Sequence, residues 1–188
     1  INRRHAEKAA EAGVDGIIAV SAGAGGHAGT VSPFALVQEI RQVFDGTVIL
    51  AGSISTGAQI AASRLMGADL AYLGTRFLAT RESMVQSEYK AMVRDTHAAD
   101  IVYTPKVSGV NANFLRPSVE AAGLDLASDE AHGGLDMENE AKAWKNVWSA
   151  GHGVGAIEDE PSAAELCQRL TAEYREAMRQ ACNDEFAG

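Results

Sequence analysis

The segment SAGAGGHAGT, residues 21–30, surrounds a single histidine, His27, with nine small residues. Glycine removes steric bulk and permits backbone conformations that other residues avoid, so this segment can approach a flat or anionic group closely. A neutral imidazole beside such a group could accept a proton or hydrogen-bond a substrate anion. A structural histidine that satisfies loop carbonyls is the alternative. We predict that His27 faces the reacting atom of a bound cofactor.

Two further segments place a glycine and a hydroxyl residue at the end of an apolar run: Gly52-Ser53 in LAGSIST and Gly74-Thr75 in YLGTRFLAT. Backbone N–H groups and hydroxyls at strand ends can cradle an anion, with help from the N-terminus of a following helix. A glycine can also simply end a strand. Two consecutive segments of this kind, together with the loop around His27, favour a phosphate site.

Other chemistry has less support in the sequence. Three histidines are scattered among polar residues: His5, His97 and His132. His152 lies between two glycines in AGHGVG and is a second candidate for the site. The sequence has no HxH or HExxH pair and no cysteine ligand set, so no metal site is predicted. The GAGGHAG segment does not match the GxGxxG fingerprint of a dinucleotide-binding fold.

The candidate residues follow short, continuous apolar runs, which are typical of parallel strands buried on both faces. The predicted strands are GIIAV (16–20), TVILAG (47–52) and LAYLGT (70–75). Helical patterns alternate with them over about residues 2–12, 33–44, 56–66 and 84–95. This alternation predicts an α/β fold with a parallel sheet. Ligand sites in such folds lie at the carboxyl ends of the strands.

The second half of the chain has a different pattern. Residues 101–137 are predicted to be rich in loops, 138–148 to be helical and 151–155 to be flexible. A long amphipathic helix is predicted from residue 161 to about 182. It contains Cys167 and Cys182, which are about 22 Å apart along an intact helix and therefore cannot pair. Unpaired cysteines indicate a reducing, cytoplasmic location.

Composition narrows the class of protein. Of 188 residues, 46% are hydrophobic and 22% are charged, as in an ordinary globular domain. The net charge of −9 argues against nucleic acid as a partner. The sequence contains neither an apolar run long enough to cross a membrane nor a signal peptide. Because it begins with Ile1 rather than Met, we expect it to be part of a longer protein.

Four blocks of the sequence resemble the nitronate monooxygenase family, formerly called 2-nitropropane dioxygenases. They are AAEAGVDGIIAVSAGAGGHAG, TVILAGSISTGAQIAASRLMGADLAYLGTRFLAT, SGVNANFLRPSVEAAGLD and KAWKNVWSAGHGVGAIEDEPSAAELCQRL. The resemblance implies an FMN-binding TIM barrel with a smaller, α-rich substrate domain. A whole barrel needs about 250 residues, so we expect only its C-terminal portion, strands six to eight, with the N-terminal strands missing. The expected division is 1–97 for the barrel, 98–160 for the substrate or lid region, and 161–188 for a C-terminal helix packed on the barrel.

The resemblance also implies roles for individual residues. His27 matches the catalytic histidine of the family's AGGH motif. Three residues would line the flavin ring: Ala24, Gly25 and Gly26. Four would hold the FMN phosphate: Gly52, Ser53, Gly74 and Thr75. Ser53 departs from the family's usual GGI, although its backbone N–H is retained and its hydroxyl adds a donor. His152 stands where relatives often have GQG and would alter specificity if that position meets substrate.

The implied activity is FMN-dependent oxidation of alkyl nitronates, such as propionate 3-nitronate, by O2 to a carbonyl compound and nitrite. The flavin would carry the redox step, and the protein would supply position and charge. Two alternatives stay open. One is flavin-dependent reduction of quinones by NAD(P)H, or of enoyl thioesters, on the same barrel. The other is a flavin-free fragment or interaction domain. The physiological substrate and the oligomeric state are not readable from the sequence.

Overall fold

A computed structural model describes residues 1–126 and 146–183. In chain order the elements are α1 (Arg3–Glu11), β1 (Gly16–Val20), β2 (Gly26–His27), α2 (Pro33–Arg41), β3 (Thr47–Ala51), α3 (Gly57–Leu65), β4 (Leu70–Tyr72), α4 (Thr75–Leu78), α5 (Ser87–Asp95), β5 (Ile101–Thr104), β6 (Ala112–Leu115), α6 (Arg116–Ala121) and α7 (Ala163–Cys182). Two 3-10 helices cover Ala98–Asp100 and His152–Ala156. The predicted α/β fold is confirmed.

Strands β1, β3 and β4 lie side by side in that order and are parallel, as the apolar runs predict. Helix α2 begins at Pro33, whose fixed φ suits the first helical turn. Its apolar side packs on the sheet in a core that includes Leu36, Val37, Ile40, Val48 and Leu50. This packing holds the carboxyl ends of the three strands at one edge.

The opposite face of the parallel sheet is apolar and open. The strand register aligns Ile18 with Ile49 and Ile49 with Leu70 on this face. Ile18, Leu70 and Tyr72 are 51%, 55% and 58% exposed. Continuous apolar strands are usually covered on both sides. Within residues 1–126 and 146–183, these three side chains remain more than half uncovered.

The second sheet is antiparallel, in the order β2-β6-β5, and it corrects the prediction that residues 101–137 are rich in loops. Strands β5 and β6 and helix α6 all lie within that range. The two strands have only four residues each, and Pro105 and Gly109 between them are strong loop signals. All four residues of β6 are buried, so tertiary packing forms this strand. The helix predicted at 138–148 falls largely on residues 127–145, outside the described part of the chain.

The predicted C-terminal helix is confirmed as α7, which begins with a capping box between Ser162 and Glu165. It packs on α3, where a Cβ at Gly57 would overlap the α7 backbone. Cys167 and Cys182 are both exposed and unpaired. The segment predicted to be flexible is instead the 3-10 helix His152–Ala156. In the described part of the chain, no helix combines the length and apolar character needed to cross a membrane.

Candidate active site

A cavity of about 520 Å³ lies at the carboxyl ends of β1, β3 and β4. Its walls are mainly apolar, with a few polar side chains, as in sites for cofactors and small molecules. The lining residues are Ile18, Val20, Gly23, Ala24, Gly25, His27, Ala51, Gly52, Ser53, Ile54, Tyr72, Gly74, Thr75, Leu78, Tyr89, Ser149, Gly151 and Gly153.

Most of the predicted site residues meet in this cavity. The loop around His27 and both glycine-hydroxyl pairs contribute to its walls. Two predicted residues do not line it: Gly26 and His152. The two glycines that flank His152 do line it, so this histidine lies at the border of the cavity. The parallel sheet therefore brings three loops that are separate in the sequence together at one edge.

The loop that carries His27 lies directly against the end of β3. Gly52 has a φ of 121°, in the region that favours glycine. A Cβ at Gly52 would lie 3.2 Å from the Ala24 nitrogen and closer still to the Ser21 hydroxyl. Ser21 is buried and donates its hydroxyl hydrogen to the Ala51 carbonyl oxygen at 2.9 Å. Backbone contact between these loops thus requires the small residues that the sequence supplies.

The second sheet positions His27. Strand β2 pairs His27 with Ala112 of β6. The buried side-chain amide of Asn113 donates to the Ala24 carbonyl oxygen at 2.7 Å, and the Tyr103 hydroxyl donates to the Ala28 carbonyl oxygen at 2.9 Å. The backbone on each side of His27 is therefore fixed by a hydrogen bond, while the His27 side chain stays exposed. Sequence reasoning missed Asn113 and Tyr103, because their partners are more than seventy residues away.

The candidate anion cradle differs in one respect from the predicted one. Gln59 accepts from the N–H groups of Ser55 and Thr56, and Glu173 accepts from that of Gly57. Most N–H groups at the N-terminus of α3 therefore already have acceptors, and only that of Ala58 has none among the described residues.

Open donors lie at the strand ends instead. The hydrogen bonds among the described residues leave the N–H groups of Ser53, Gly74 and Thr75 unused. Thr75 Oγ1 accepts from the Gly151 N–H at 3.0 Å, so its own hydrogen is left to donate.

Arg76 follows Thr75 in the sequence, but this cationic residue does not line the cavity. It is 2% exposed and donates to Asp159 Oδ1 at 2.6 Å. Burial lowers the pKa of Arg76, whereas the nearby Asp159 raises it. Asp159 also accepts from Arg169 of α7, and hydrogen bonding to Arg169, followed by the charges of Arg169 and Arg76, keeps the Asp159 pKa below its usual value. Arg76 thus ties the segment after the 3-10 helix to the parallel half of the molecule.

An aromatic wall closes another side of the cavity. The ring of Tyr89 stacks on Trp148 with centroids 4.9 Å apart. Its hydroxyl donates to the Ser149 carbonyl oxygen. Burial raises the pKa of Tyr89 to about 12, so the phenol is neutral at physiological pH. The helical pattern of residues 84–95 gave no signal that this tyrosine faces a ligand site.

The parallel sheet and the cavity at its carboxyl edge define an α/β protein with a small-molecule site. The chain belongs to the nitronate monooxygenase family, a family of oxidoreductases, whose sequence model matches residues 3–173. The predicted family membership is confirmed.

Three relatives illustrate the similarity. The chain is 31% identical to a nitronate monooxygenase from Paraburkholderia phytofirmans, over 95% of this chain and 54% of that protein. Among solved structures, it is similar to FabK from Thermotoga maritima, with a TM-score of 0.82 and 26% identity over 97% of this chain and 61% of that one. It is also similar to nitroalkane oxidase from Streptomyces ansochromogenes, with a TM-score of 0.80 and 30% identity over 96% and 57%. The chain spans about half the length of the P. phytofirmans relative.

Proposed function

We propose that this chain carries the flavin site of an FMN-dependent nitronate monooxygenase. The observation that carries the proposal is the convergence of the His27 loop with two glycine-hydroxyl loops on one cavity. Family membership supports the same chemistry. The cavity volume lies within the range of about 300–1,000 Å³ that is common for small-molecule sites.

The residues present fit FMN. No described atom lies within 4 Å of the position that a Cβ would occupy at Gly74, so this strand end leaves room for a group. The unused N–H groups of Ser53, Gly74 and Thr75 and the Thr75 hydroxyl would bind the phosphate. Ala24 and Gly25 would approach the ring, with Gly26 supporting the loop rather than lining the cavity.

In the proposed reaction, His27 hydrogen-bonds the nitro group of a bound nitronate or removes the α-proton of a neutral nitroalkane. Asn113 and Tyr103 hold the backbone on either side of this imidazole. When bound, FMN would supply the electron-accepting chemistry. In the net reaction, two nitronates and one O2 give two carbonyl compounds and two nitrite ions: each C–N bond breaks, and each carbon takes one oxygen atom of O2.

The test is His27→Asn. Loss of the general base should reduce turnover of neutral nitroalkanes by roughly 10²–10⁴-fold. Preformed nitronates should lose less activity, because their α-proton is already gone, and FMN should remain bound. His5→Asn, on the exposed helix α1, is the matched control. Equal turnover of neutral nitroalkanes by His27→Asn and the parent would remove His27 from the mechanism.

A second assay separates oxidation from reduction. Aerobic nitrite release from propionate 3-nitronate supports the proposed activity, whereas oxidation of NADH by a quinone without nitrite formation from nitronates would favour the reductase alternative. An absorbance spectrum without a flavin band, after incubation with FMN and removal of free cofactor, would favour the flavin-free alternative.

We also propose that the open face of the β1-β3-β4 sheet lies inside a barrel completed by further chain. The support is the exposure of Ile18, Leu70 and Tyr72, since soluble proteins rarely leave a contiguous apolar face and a strand edge open. The same proposal includes the division into 1–97 for the barrel, 98–160 for the substrate or lid region and 161–188 for the C-terminal helix. A 188-residue product that is monomeric, soluble and melts cooperatively would contradict it.

A further inference from the structure

His152 lies beside Gly23 and Ser53 at the border of the candidate site. Its backbone N–H donates to the Gly23 carbonyl oxygen at 2.9 Å. His152 Nδ1 lies 2.8 Å from the position that a Cβ would occupy at Gly23, and Ser53 Oγ lies closer to the same position. Gly23 has a φ of 81°, which favours glycine. Because it has no side chain, the His152 imidazole and the Ser53 hydroxyl both fit beside it.

A third polar group lies in the same corner. Ser55 is 3% exposed, and its hydroxyl has no hydrogen-bond partner among the described residues. A Cβ at Gly153, which lines the cavity, would overlap this hydroxyl. A buried hydroxyl without a partner is costly, and a bound acceptor would relieve that cost. The loop after β3 and the start of the 3-10 helix thus enclose a cluster of polar side chains.

The cavity lining contains no lysine or arginine among the described residues, and Arg76 is engaged with Asp159. An anion bound here would depend on backbone N–H groups, hydroxyls and any nearby imidazole. Among the described histidines, His152 is the one whose ring is close to the Ser53 side of the cavity, whereas His27 is held by β2 and β6.

We propose that His152 and Ser53 form the side-chain part of the phosphate subsite and bind the phosphate monoester of the flavin nucleotide. This assignment rests on the proposed flavin function. It moves His152 from the expected role in substrate specificity to one in cofactor recognition. The imidazole would donate to a phosphate oxygen, and so would the Ser53 hydroxyl in place of its long 3.4 Å hydrogen bond to the Ala22 carbonyl oxygen.

The experiment compares FMN with riboflavin, which has the same ring and no phosphate. Apoprotein of the full chain and of three variants, His152→Ala, Ser53→Gly and the control His5→Ala, is titrated with each flavin by fluorescence quenching. Ser53 has a φ of 59°, so glycine suits its backbone while the substitution removes the hydroxymethyl side chain. We expect His152→Ala and Ser53→Gly each to weaken FMN about tenfold, the loss typical of one hydrogen bond to a charged group. Riboflavin binding should not change.

The outcomes separate the two proposals. If the parent binds neither flavin, the flavin function itself fails, and this assignment fails with it. If the parent binds FMN and His152→Ala leaves its affinity unchanged, only the assignment of His152 is overturned. Equal weakening of FMN and riboflavin would also overturn it, because it would place His152 at the ring. If His152→Ala changes the KM for nitronate and leaves the FMN affinity unchanged, His152 contacts the substrate instead of the phosphate.

Discussion

The two sheets of this protein contribute to the candidate site in different ways. The parallel sheet β1-β3-β4 supplies the surface for a ligand, because each of its strands ends in a loop of small or hydroxyl residues at the same edge. The antiparallel sheet β2-β6-β5 supplies position, because β6 pairs with the short strand that contains His27. The candidate anion cradle is thus formed by the loops that directly follow the parallel strands. The position of His27, in contrast, depends on residues that are far away in the sequence.

The junction between the two regions should be most sensitive to change. A Cβ at Gly151 would overlap the Gly23 carbonyl oxygen and lie 2.9 Å from the Gly25 nitrogen. Because backbone cannot move aside easily, we expect Gly151→Ala to lower the free energy of unfolding by about 3 kcal/mol. Gly155→Ala is the control, since its nearest neighbour would be 3.8 Å away. Urea denaturation measures both, and equal stability of the two variants would show that the loops do not meet as described.

The antiparallel anchor is the next test. Asn113→Ala leaves the Ala24 carbonyl oxygen without its donor in a buried position, which should cost about 2 kcal/mol of stability. Turnover should fall while FMN affinity is retained, because the anchor positions His27 and not the cradle. Asn113→Asp should lose more stability, because it buries a carboxylate against the Ala24 carbonyl oxygen. Tyr103→Phe, at a partly exposed hydroxyl, should have a smaller effect. A fall in FMN affinity that matches the fall in turnover would contradict the division of roles.

The parallel sheet should show the opposite pattern. Gly74 has a φ of −106° and open space where a Cβ would lie, so Gly74→Ala should leave stability unchanged. We expect FMN to bind about tenfold more weakly, since the methyl group enters the space proposed for the phosphate. Gly74→Val should weaken it further, and by more than His27→Asn does. Fluorescence titration of the apoprotein decides this, and unchanged affinity would place the phosphate elsewhere.

The smallest expected effect is the response of the two regions to acid. The Val48 N–H and then Arg41 hold the pKa of Asp69 below 3.8, and Arg169 and then Arg76 do the same for Asp159. Each folded pKa is lowered, so the stability that these groups add is present above the unfolded value and is lost as pH falls through the folded value.

Urea denaturation between pH 7 and pH 2 should therefore show a less steep acid loss in Asp69→Asn and Asp159→Asn than in the parent. Both carboxylates are largely solvent-facing, so the differences should be small. Asp159→Asn should also loosen the tie between Arg76 and the segment before α7, whereas Asp69→Asn should affect only the parallel half. Identical acid profiles for parent and variants would contradict these pKa shifts.

Much of the parallel half was predictable because its signals are local. The apolar runs at 16–20 and 47–51, the helical pattern over about residues 2–12 and Pro33 at a helix start all depend on neighbours within a few residues. The convergence of the strand-end loops followed from the geometry of parallel sheets. The sequence pattern did not show that Gln59 and Glu173 occupy the N-terminus of α3, because Glu173 comes from the far end of the chain.

The second half was predicted less well for the same physical reason. Strands β5 and β6 are short and lie on either side of Pro105 and Gly109. They are stabilised by pairing with strands that no local sequence pattern identifies. The sequence made His152 a candidate for the site, and only its packing beside Gly23 and Ser53 shows that it borders the cavity without lining it.

The sequence by itself determined the family, the alternation of strands and helices, and the glycine-rich loops that line much of the cavity. These properties follow from short-range sequence patterns: runs of apolar residues, glycines at strand ends and caps at helix starts. Tertiary structure alone decided which donors remain unused, where Arg76 points and what holds His27. Those outcomes depend on contacts between residues far apart in the chain, and each such contact forms only when burial in the folded protein offsets the loss of conformational entropy.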